Sequence, residues 1–188
     1  MSEIKFAVVG FGHIGRRHAT IVRDFPGASL VAIVESEPSL QEHTLYPKHV
    51  PFFQSIQDFF NARIPVDVVC ICTPNGLHIE HALQALDNKC HVVIEKPMGL
   101  TRQSCEQVVE KSLQVARHVF VVKQNRYSPP SKWLKQVVSD GTLGDILMVQ
   151  VNCYWNRDDR YYKKGSWKGT MALDGGTLFT QFSHCSFP

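Results

Sequence analysis

Three glycines near the start of the chain have the spacing of a loop that binds phosphate groups. Gly10, Gly12 and Gly15 form the pattern G-x-G-x-x-G directly after an apolar run at residues 4–9. Where a buried strand turns into a helix, several backbone N–H groups and the positive end of the helix dipole face one place. Glycines also gather in ordinary turns, but the strand before this motif and the amphipathic run after it favour a pyrophosphate-binding turn.

An acidic residue follows at the distance at which such a turn is paired with a ribose-binding carboxylate. Glu35 lies 20 residues after Gly15 (35 minus 15) and directly follows a second apolar run at residues 29–34. A carboxylate in this place accepts hydrogen bonds from both ribose hydroxyls and repels a 2′-phosphate, which predicts NAD rather than NADP. Arg16 and Arg17 weaken the exclusion of NADP if they face the ribose, and a solvated acid at a strand end is the alternative for Glu35.

Lys96 and His184 have side chains that suit proton transfer to or from a hydroxyl. Lys96 lies in an E-K-P sequence after an apolar run at residues 91–94, and a lysine held at a strand end can hydrogen-bond a reacting hydroxyl. His184 lies in a run too apolar for a solvated loop, and an imidazole with an ordinary pKa of about 6.5 suits a general base. A surface lysine in a turn and a structural histidine are the alternatives that these residues alone leave open.

The elements that must position these side chains form an alternating pattern. Five apolar runs are separated by runs of helical character, which predicts an α/β fold with a doubly wound parallel sheet of the Rossmann type. In such a sheet, ligands bind at the carboxyl ends of the strands, so residues scattered along the sequence converge on one edge. The apolar runs are residues 4–9, 29–34, 66–72, 91–94 and 119–123.

The expected cofactor contacts are the residues of the glycine turn and those that follow the later strands. His78 and His81 are three residues apart and share a helix face, from which one of them would reach this edge. Two histidines without a third ligand make a poor metal site, so no metal is predicted. The expected contacts within this part of the chain are Gly10, Phe11, Gly12, His13, Ile14, Gly15, Glu35, Thr73, Asn75, His78, Glu95, Lys96 and Gln124.

The sequence changes in character after residue 124, which predicts a cofactor-binding domain at residues 1–124 and a second domain at residues 125–188. Residues 145–155 are expected to form a long strand, because the alternation of apolar and polar residues at 149–153 is typical of a half-exposed strand of an antiparallel sheet. Residues 157–168 are dense in charged and aromatic side chains. This composition suits a loop over a polar ligand and a solvated loop equally well.

The bulk composition argues against several classes of function. The chain has 188 residues, 44% of them hydrophobic, and a net charge of +3, with neither a basic stripe for nucleic acid nor an apolar run that could span a membrane. It begins without the pattern of a secretory signal, and no cysteines form a C-x-x-C pair, which predicts a cytoplasmic protein with reduced, mostly buried thiols. The cysteines are Cys70, Cys72, Cys90, Cys105, Cys153 and Cys185.

Several of these segments together resemble the Gfo/Idh/MocA family of oxidoreductases. The similar segments are AVVGFGHIGRRH, CTPNGLH, EKPMGLT, QNRYSP and DGGTLFTQFSH, in the family's order. The resemblance implies a Rossmann domain followed by a domain with an open antiparallel sheet, which commonly forms an oligomer interface. It also implies that the protein transfers a hydride between a sugar or polyol and a nicotinamide cofactor, with Lys96 as the family's E-K-P lysine and His184 as its catalytic histidine.

Two positions depart from the common pattern of the family. Many members have an aspartate four residues before the histidine, where this chain has Thr180, and a glycine two residues before it, where this chain has Phe182. The stretches 152–155, 160–162 and 166–169 are similar to the nucleotide-sugar 3-dehydrogenases, a branch that also lacks the aspartate. This likeness implies UDP-N-acetylglucosaminuronate as the substrate, in the synthesis of bacterial surface polysaccharides.

The same likeness extends to charged and aromatic residues of the second domain. Trp167 is expected to contact the cofactor. The candidates for binding the acidic substrate are Arg160, Lys163 and Lys168.

Family members continue well beyond the point at which this sequence ends, so the second domain is expected to be incomplete. Because a single strand cannot bury its own face, we expect residues 145–155 to form an exposed apolar patch or to self-associate, as in a homo-oligomer built on this sheet. Two other functions stay open. The chain could be a regulatory NAD-binding fragment without catalysis, or an oxidoreductase of a free sugar or inositol.

Overall fold

The computed structural model describes residues 3–152 and 154–181. The chain divides into two compact units, Met1–Val121 and Val122–Pro188. The first unit contains a parallel sheet with its helices, and the second contains helices and turns. The sequence placed the boundary between its two domains after residue 124, three residues beyond this division (124 minus 121).

A six-stranded parallel sheet forms the centre of the first unit, in the order β3-β2-β1-β4-β5-β6. The prediction of a doubly wound parallel sheet is therefore confirmed. The edge strand β3 was missed because two residues are too short for a periodic signal. The strands are β1 (Ile4–Val9), β2 (Ala28–Val34), β3 (Phe52–Phe53), β4 (Val68–Ile71), β5 (His91–Ile94) and β6 (Val119–Val121), and the helices are α1 (His13–Asp24), α2 (Ile56–Asn61), α3 (His78–Asp87) and α4 (Arg102–Gln114).

Neighbouring residues of the central strands belong to two different core clusters, one on each face of the sheet. Ala7 and Val9 pack in the cluster that contains Phe59 of α2, whereas Val8 packs in the cluster that contains Ala19 of α1. A strand that is buried on both faces needs apolar residues at consecutive positions, which explains the unbroken apolar runs of the sequence. The order of the strands reverses between β1 and β4, so the crevice for a ligand lies at the carboxyl ends of these strands.

The cysteines of the described residues are free thiols, as predicted. Cys70, Cys72 and Cys90 are buried, and Cys105 is half-buried. Burial raises the pKa of Cys70 to about 12 and that of Cys90 to about 11. These thiols therefore remain protonated at neutral pH and are poor nucleophiles.

Within its described residues the second unit contains a 3-10 helix (Gln124–Tyr127) and two α-helices, α5 (Pro129–Ser139) and α6 (Thr177–Thr180). The sequence predicts a strand over residues 145–155, but the described part of this stretch pairs with no other strand. A strand exists only where a neighbour takes up its backbone hydrogen bonds, and the described residues provide no such neighbour for this stretch. Leu147 and Met148 are 94% and 82% exposed, so the expected apolar patch is present. No helix among the described residues has the length and apolar character needed to cross a membrane.

Candidate active site

The three glycines of the turn after β1 have three different environments. Gly10 has a φ of +90°, and a Cβ atom there would lie 2.7 Å from the carbonyl oxygen of Cys72. A Cβ atom on Gly15 would lie 1.8 Å from the carbonyl oxygen of Gly10, so α1 packs too closely on the turn for any side chain. Around Gly12, by contrast, nothing lies within 4 Å of the Cβ position. The turn is therefore closed on its inner side and open at Gly12, as a pyrophosphate cradle requires.

The amino end of α1 lies at this opening. Gly12 is the N-cap residue and supplies no side-chain cap, and the first turn of the helix contains no acidic residue. The first backbone N–H groups of a helix have no partners within it, so they suit an anion. His13 is exposed and Ile14 half-buried at this end, whereas the ring of Phe11 is fully buried in the core and anchors the turn.

Glu35 lies directly after β2 and is fixed against the glycine turn. Its Oε2 accepts a hydrogen bond of 2.7 Å from the backbone N–H of Phe11, and its Oε1 accepts from the N–H of Glu37 at 3.0 Å and from the hydroxyl of Ser36 at 3.2 Å. A carboxylate has about four acceptor sites, so Oε2 keeps one for a ribose hydroxyl. These residues fit the adenosine half of NAD, since they join a fixed negative charge to an open phosphate cradle.

The arginines of α1 bear on the choice between NAD and NADP. Arg16 donates from Nη1 to the carbonyl oxygen of Phe11 at 3.3 Å, and Arg17 is exposed on the helix surface. Arg16 is therefore already directed at the glycine turn, whereas Glu35 occupies the carboxyl end of β2, where a ribose would lie. The role of Glu35 in a preference for NAD stays a prediction.

His78 connects the segments that follow β4 and β5. It is 1% exposed, with Nδ1 2.7 Å from the carbonyl oxygen of Pro97 and Nε2 2.9 Å from that of Thr73. Burial lowers the pKa of His78, although the carbonyl oxygens of Pro97 and Thr73 and the charge of Glu95 act in the opposite direction. A carbonyl oxygen lies within hydrogen-bonding distance of each ring nitrogen, and the neutral imidazole donates to one of them, so His78 joins the two segments. Its predicted contact with the cofactor stays a prediction.

The E-K-P segment begins with a buried carboxylate. Glu95 is 7% exposed, its Oε1 lies 2.8 Å from Nε2 of His18, and its Oε2 accepts from the backbone N–H of Lys96 at 3.3 Å. Lys96 itself is half-buried. The carboxylate thus holds the backbone of the predicted catalytic lysine directly after β5.

Most of the predicted site residues converge on one edge of the sheet. Glu35, the segment 73–78 and the segment 95–97 follow the carboxyl ends of β2, β4 and β5, next to the glycine turn after β1. Gln124 and Trp167 belong to the second unit, where Gln124 begins a short 3-10 helix and Trp167 is half-buried. His184 lies outside the described residues.

A cluster around Arg157 in the second unit was not singled out from the sequence. Its guanidinium carbon lies 4.4 Å from the ring centre of Trp155 and 4.2 Å from that of Tyr161, and Nη2 donates to Oε1 of Gln181 at 3.4 Å. The ammonium nitrogen of Lys168 lies 4.0 Å from the ring centre of Tyr161. The Nε atom of Arg157 is buried without a hydrogen-bond partner among the described residues. The sequence signal for this cluster was the density of aromatic and basic residues at 157–168. That density does not indicate which arginine contacts the aromatic rings.

Thr180, at the position where many family members have an aspartate, has a structural role here. It is buried, and its hydroxyl lies 2.7 Å from both Oδ1 of Asp174 and the carbonyl oxygen of Gly176. Asp174 is 2% exposed, and its Oδ2 accepts from the backbone N–H of Gly169 at 2.8 Å. The Asp174 carboxylate therefore fixes the turns of this unit, and Thr180 is one of its donors.

Solved structures and curated proteins match most of this chain. It is 32% identical to the WlbA dehydrogenase of Bordetella pertussis, crystallised in complex with NADH and UDP-GlcNAcA, with a TM-score of 0.91 over 97% of this chain and 56% of that one. It is 29% identical over 151 residues to the D-glucoside 3-dehydrogenase of Escherichia coli, which covers 79% of this chain and 42% of the relative. It is also 26% identical over 186 residues to a 2,7-anhydro-N-acetylneuraminate hydratase of Mediterraneibacter gnavus. That match covers 95% of this chain and 46% of the relative. The chain thus spans about half the length of these relatives.

Two family models cover nearly the whole sequence. The oxidoreductase family with an NAD-binding Rossmann fold matches residues 4–122, and the GFO/IDH/MocA C-terminal domain matches residues 132–186. The first match contains the glycine turn, Glu35 and the E-K-P segment whose geometry is described above. The chain therefore belongs to the Gfo/Idh/MocA family of NAD-binding oxidoreductases.

Proposed function

We propose that this protein is an NAD-dependent oxidoreductase that transfers a hydride between a sugar hydroxyl and the nicotinamide. The observation that carries the proposal is the open glycine turn with Glu35 fixed beside it, at the same sheet edge as Lys96. For the substrate we propose UDP-N-acetylglucosaminuronate, oxidised at C3. The support for this choice is the similarity to the Bordetella pertussis dehydrogenase, whose crystals contain NADH and UDP-GlcNAcA.

Oxidation of a sugar hydroxyl breaks one C–H bond and one O–H bond and forms a C=O bond. NAD, when bound, accepts the hydride. The ammonium group of Lys96 donates a hydrogen bond to the substrate oxygen and stabilises the negative charge that grows there as the proton leaves. His184 accepts that proton, a role that comes from the family resemblance alone. In the reverse direction the same two groups return the proton and polarise the carbonyl.

Arg157 is our candidate for binding the acidic group of the substrate. A half-buried guanidinium without a carboxylate partner among the described residues favours an incoming anion, because an uncompensated buried charge is unfavourable. Stacking between Trp155 and Tyr161 fixes its plane, which suits a carboxylate or phosphate. Arg160, named from the sequence, already pairs with Asp158 at 2.6 Å. Lys168 lies in the same cluster and remains a candidate.

A substitution of the proposed catalytic lysine tests the reaction. Lys96→Met should abolish turnover, because it removes the hydrogen bond to the substrate oxygen, while NAD affinity stays within about threefold. The measurement is NADH formation from UDP-N-acetylglucosaminuronate, with NAD binding followed by isothermal titration. Lys132→Met, an exposed lysine of α5, is the matched control and should keep wild-type turnover. Equal rates for Lys96→Met and the control would refute the proposal.

Assays of the wild-type chain with different substrates distinguish the proposed substrate from the alternatives. Turnover of UDP-N-acetylglucosaminuronate but not of glucosides or inositols would support the proposed substrate, and the reverse pattern would favour a free sugar or polyol. Binding of NAD without turnover of any of them would favour the regulatory fragment instead.

A further inference from the structure

Glu95 is buried at the carboxyl end of β5, and its backbone and both of its carboxylate oxygens contact other parts of the protein. Its backbone N–H donates to the carbonyl oxygen of Ile71 at 3.0 Å, which ties it to β4. One side-chain oxygen lies 2.8 Å from His18 and the other accepts from the N–H of Lys96. A buried charge without such partners would be strongly destabilising, so the folded protein needs these contacts to keep Glu95 ionised.

His18 brings the cofactor-binding helix into this contact. It lies on α1, three residues after Gly15, and its side chain is only 16% exposed. Since Glu95 accepts, Nε2 of His18 carries the donated proton. The helix whose amino end forms the phosphate cradle is thus joined by one side-chain contact to the residue before Lys96.

We propose that His18 and Glu95 are a positioning pair that fixes the Lys96 segment against α1. The pair connects two parts of the site: the helix that follows the cradle at residues 10–15, and the segment that contains the proposed catalytic lysine. The proposal rests on the proposed function for the role of Lys96 in the reaction, but the contact itself does not depend on it.

The charged and titratable groups around Glu95 determine its pKa. Burial alone would raise the pKa of Glu95, but the hydrogen bond and charge of His18, with the N–H and charge of Lys96, outweigh it and lower this pKa. Burial, with a contribution from the charge of Glu95, raises the pKa of Cys70 in β4 and of Cys72 directly after it. With these thiols protonated and His78 of α3 neutral, the Glu95 carboxylate acts mainly on His18 and Lys96.

Two consequences for Lys96 follow from this arrangement. A nearby negative charge favours the ammonium form of lysine, which is the form that donates to a substrate oxygen. Loss of the contact with His18 would free the segment and make Lys96 more accessible, even though the charge of Glu95 remained.

The test measures the chemical reactivity of Lys96 in the full chain. The rate of acylation of Lys96 is followed against pH by mass spectrometry in wild type, Glu95→Gln, His18→Leu and His18→Gln. Glu95→Gln should lower the apparent pKa of Lys96 and so increase its labelling rate at neutral pH by about twofold or more. His18→Leu should increase its labelling rate at fixed pH by about threefold or more, and His18→Gln, which keeps an N–H donor, should restore most of the wild-type rate.

Asp67→Asn is the matched control, since Asp67 also accepts a backbone hydrogen bond, from Lys5 at 2.8 Å, but at the opposite end of the sheet. This variant should leave Lys96 unchanged. The folded state of Glu95→Gln and His18→Leu is checked by circular dichroism. If a variant with a native spectrum labels Lys96 as wild type does, the proposal is overturned. Unfolding of both variants beside a folded Asp67→Asn would also overturn the proposal, because it would assign the pair to stability alone.

Two further outcomes separate this proposal from others. A loss of NAD affinity of tenfold or more in Glu95→Gln, with unchanged Lys96 labelling, would overturn it in favour of a direct contact of Glu95 with the cofactor. Labelling requires no substrate, so a wild-type chain that never turns over would count against the proposed function while the labelling results still decided the role of the pair.

Discussion

At the scale of single residues, the site depends on a few charges that the protein fixes in place. Glu35 accepts three hydrogen bonds from the residues beside it, so its carboxylate is oriented in the absence of ligand. A fixed negative charge raises the affinity for a ribose diol and lowers that for a ribose phosphate. We therefore expect this one side chain to decide the discrimination between NAD and NADP.

Replacing Glu35 by glutamine should change cofactor preference more than stability. Glu35→Gln keeps the shape and one acceptor but removes the charge, so NAD should bind about tenfold more weakly, while NADP should gain affinity. Isothermal titration with each cofactor measures both effects. Glu42→Gln, an exposed acid in the loop after β2, should change neither. An unchanged ratio of NAD to NADP affinity in Glu35→Gln would assign the preference to another residue.

Burial makes His78 a source of pH dependence. The pKa of His78 is lowered in the folded protein, chiefly by burial, so the unfolded chain takes up its proton at a higher pH than the folded chain does. Its contribution to stability is therefore present above the unfolded pKa of about 6.5 and is lost as the pH falls toward the folded pKa.

The free energy of unfolding should accordingly decrease between about pH 7 and pH 5. Urea denaturation at a series of pH values measures this slope. His78→Gln should flatten the slope, whereas His49→Gln, at an exposed histidine outside the site, should leave it as in wild type. Equal slopes in all three proteins would show that His78 does not titrate as its burial implies.

At the scale of elements, the turn between β1 and α1 assigns a separate role to each glycine. Gly15 has no room for a Cβ atom because backbone lies 1.8 Å from that position, whereas Gly12 faces open space. The packing of α1 on the sheet requires a residue without a side chain at position 15, and access for a pyrophosphate requires the open space at Gly12. Stability and ligand binding should therefore respond to different substitutions within one turn.

Gly12→Ala and Gly15→Ala should separate these two properties. Gly12→Ala places a methyl group in the open cradle and should weaken NAD binding by about tenfold or more, with a loss of stability of no more than about 1 kcal/mol. Gly15→Ala must move backbone and should lower the melting temperature by several degrees or prevent folding. Thermal unfolding and NAD titration give the two quantities. Similar losses of stability in both variants would contradict the separate roles.

At the scale of the whole molecule, the two units differ in how completely they bury their apolar residues. The parallel sheet of the first unit is covered on both faces, whereas residues 146–149 of the second expose four consecutive apolar side chains. A contiguous exposed apolar segment that pairs with no strand among the described residues favours pairing with a second copy of the chain.

Self-association through this segment should weaken when it carries a charge. Leu147→Asp places a carboxylate on a side chain that is 94% exposed and should shift the chain toward monomer without unfolding it. Sedimentation velocity at several concentrations measures the effect. Leu113→Asp, on a side chain of α4 that is 77% exposed, is the control for adding a charge elsewhere. A wild-type chain that stays monomeric at high concentration would remove the basis for this expectation.

The sequence by itself determined the parallel sheet, because strands buried on both faces need unbroken apolar runs and the connecting helices need their own period. It also determined the place of the glycine turn, Glu35 and the E-K-P segment, since these motifs have fixed positions at strand ends. Only the tertiary structure decided what each side chain contacts: that His18 reaches Glu95, that a carbonyl oxygen lies beside each ring nitrogen of His78, and that Arg157 contacts two aromatic rings. Contacts between residues far apart in sequence depend on how helices pack on the sheet, and local patterns do not contain that information. The same reason explains residues 145–155, whose alternation predicts a strand although a strand also requires a neighbour.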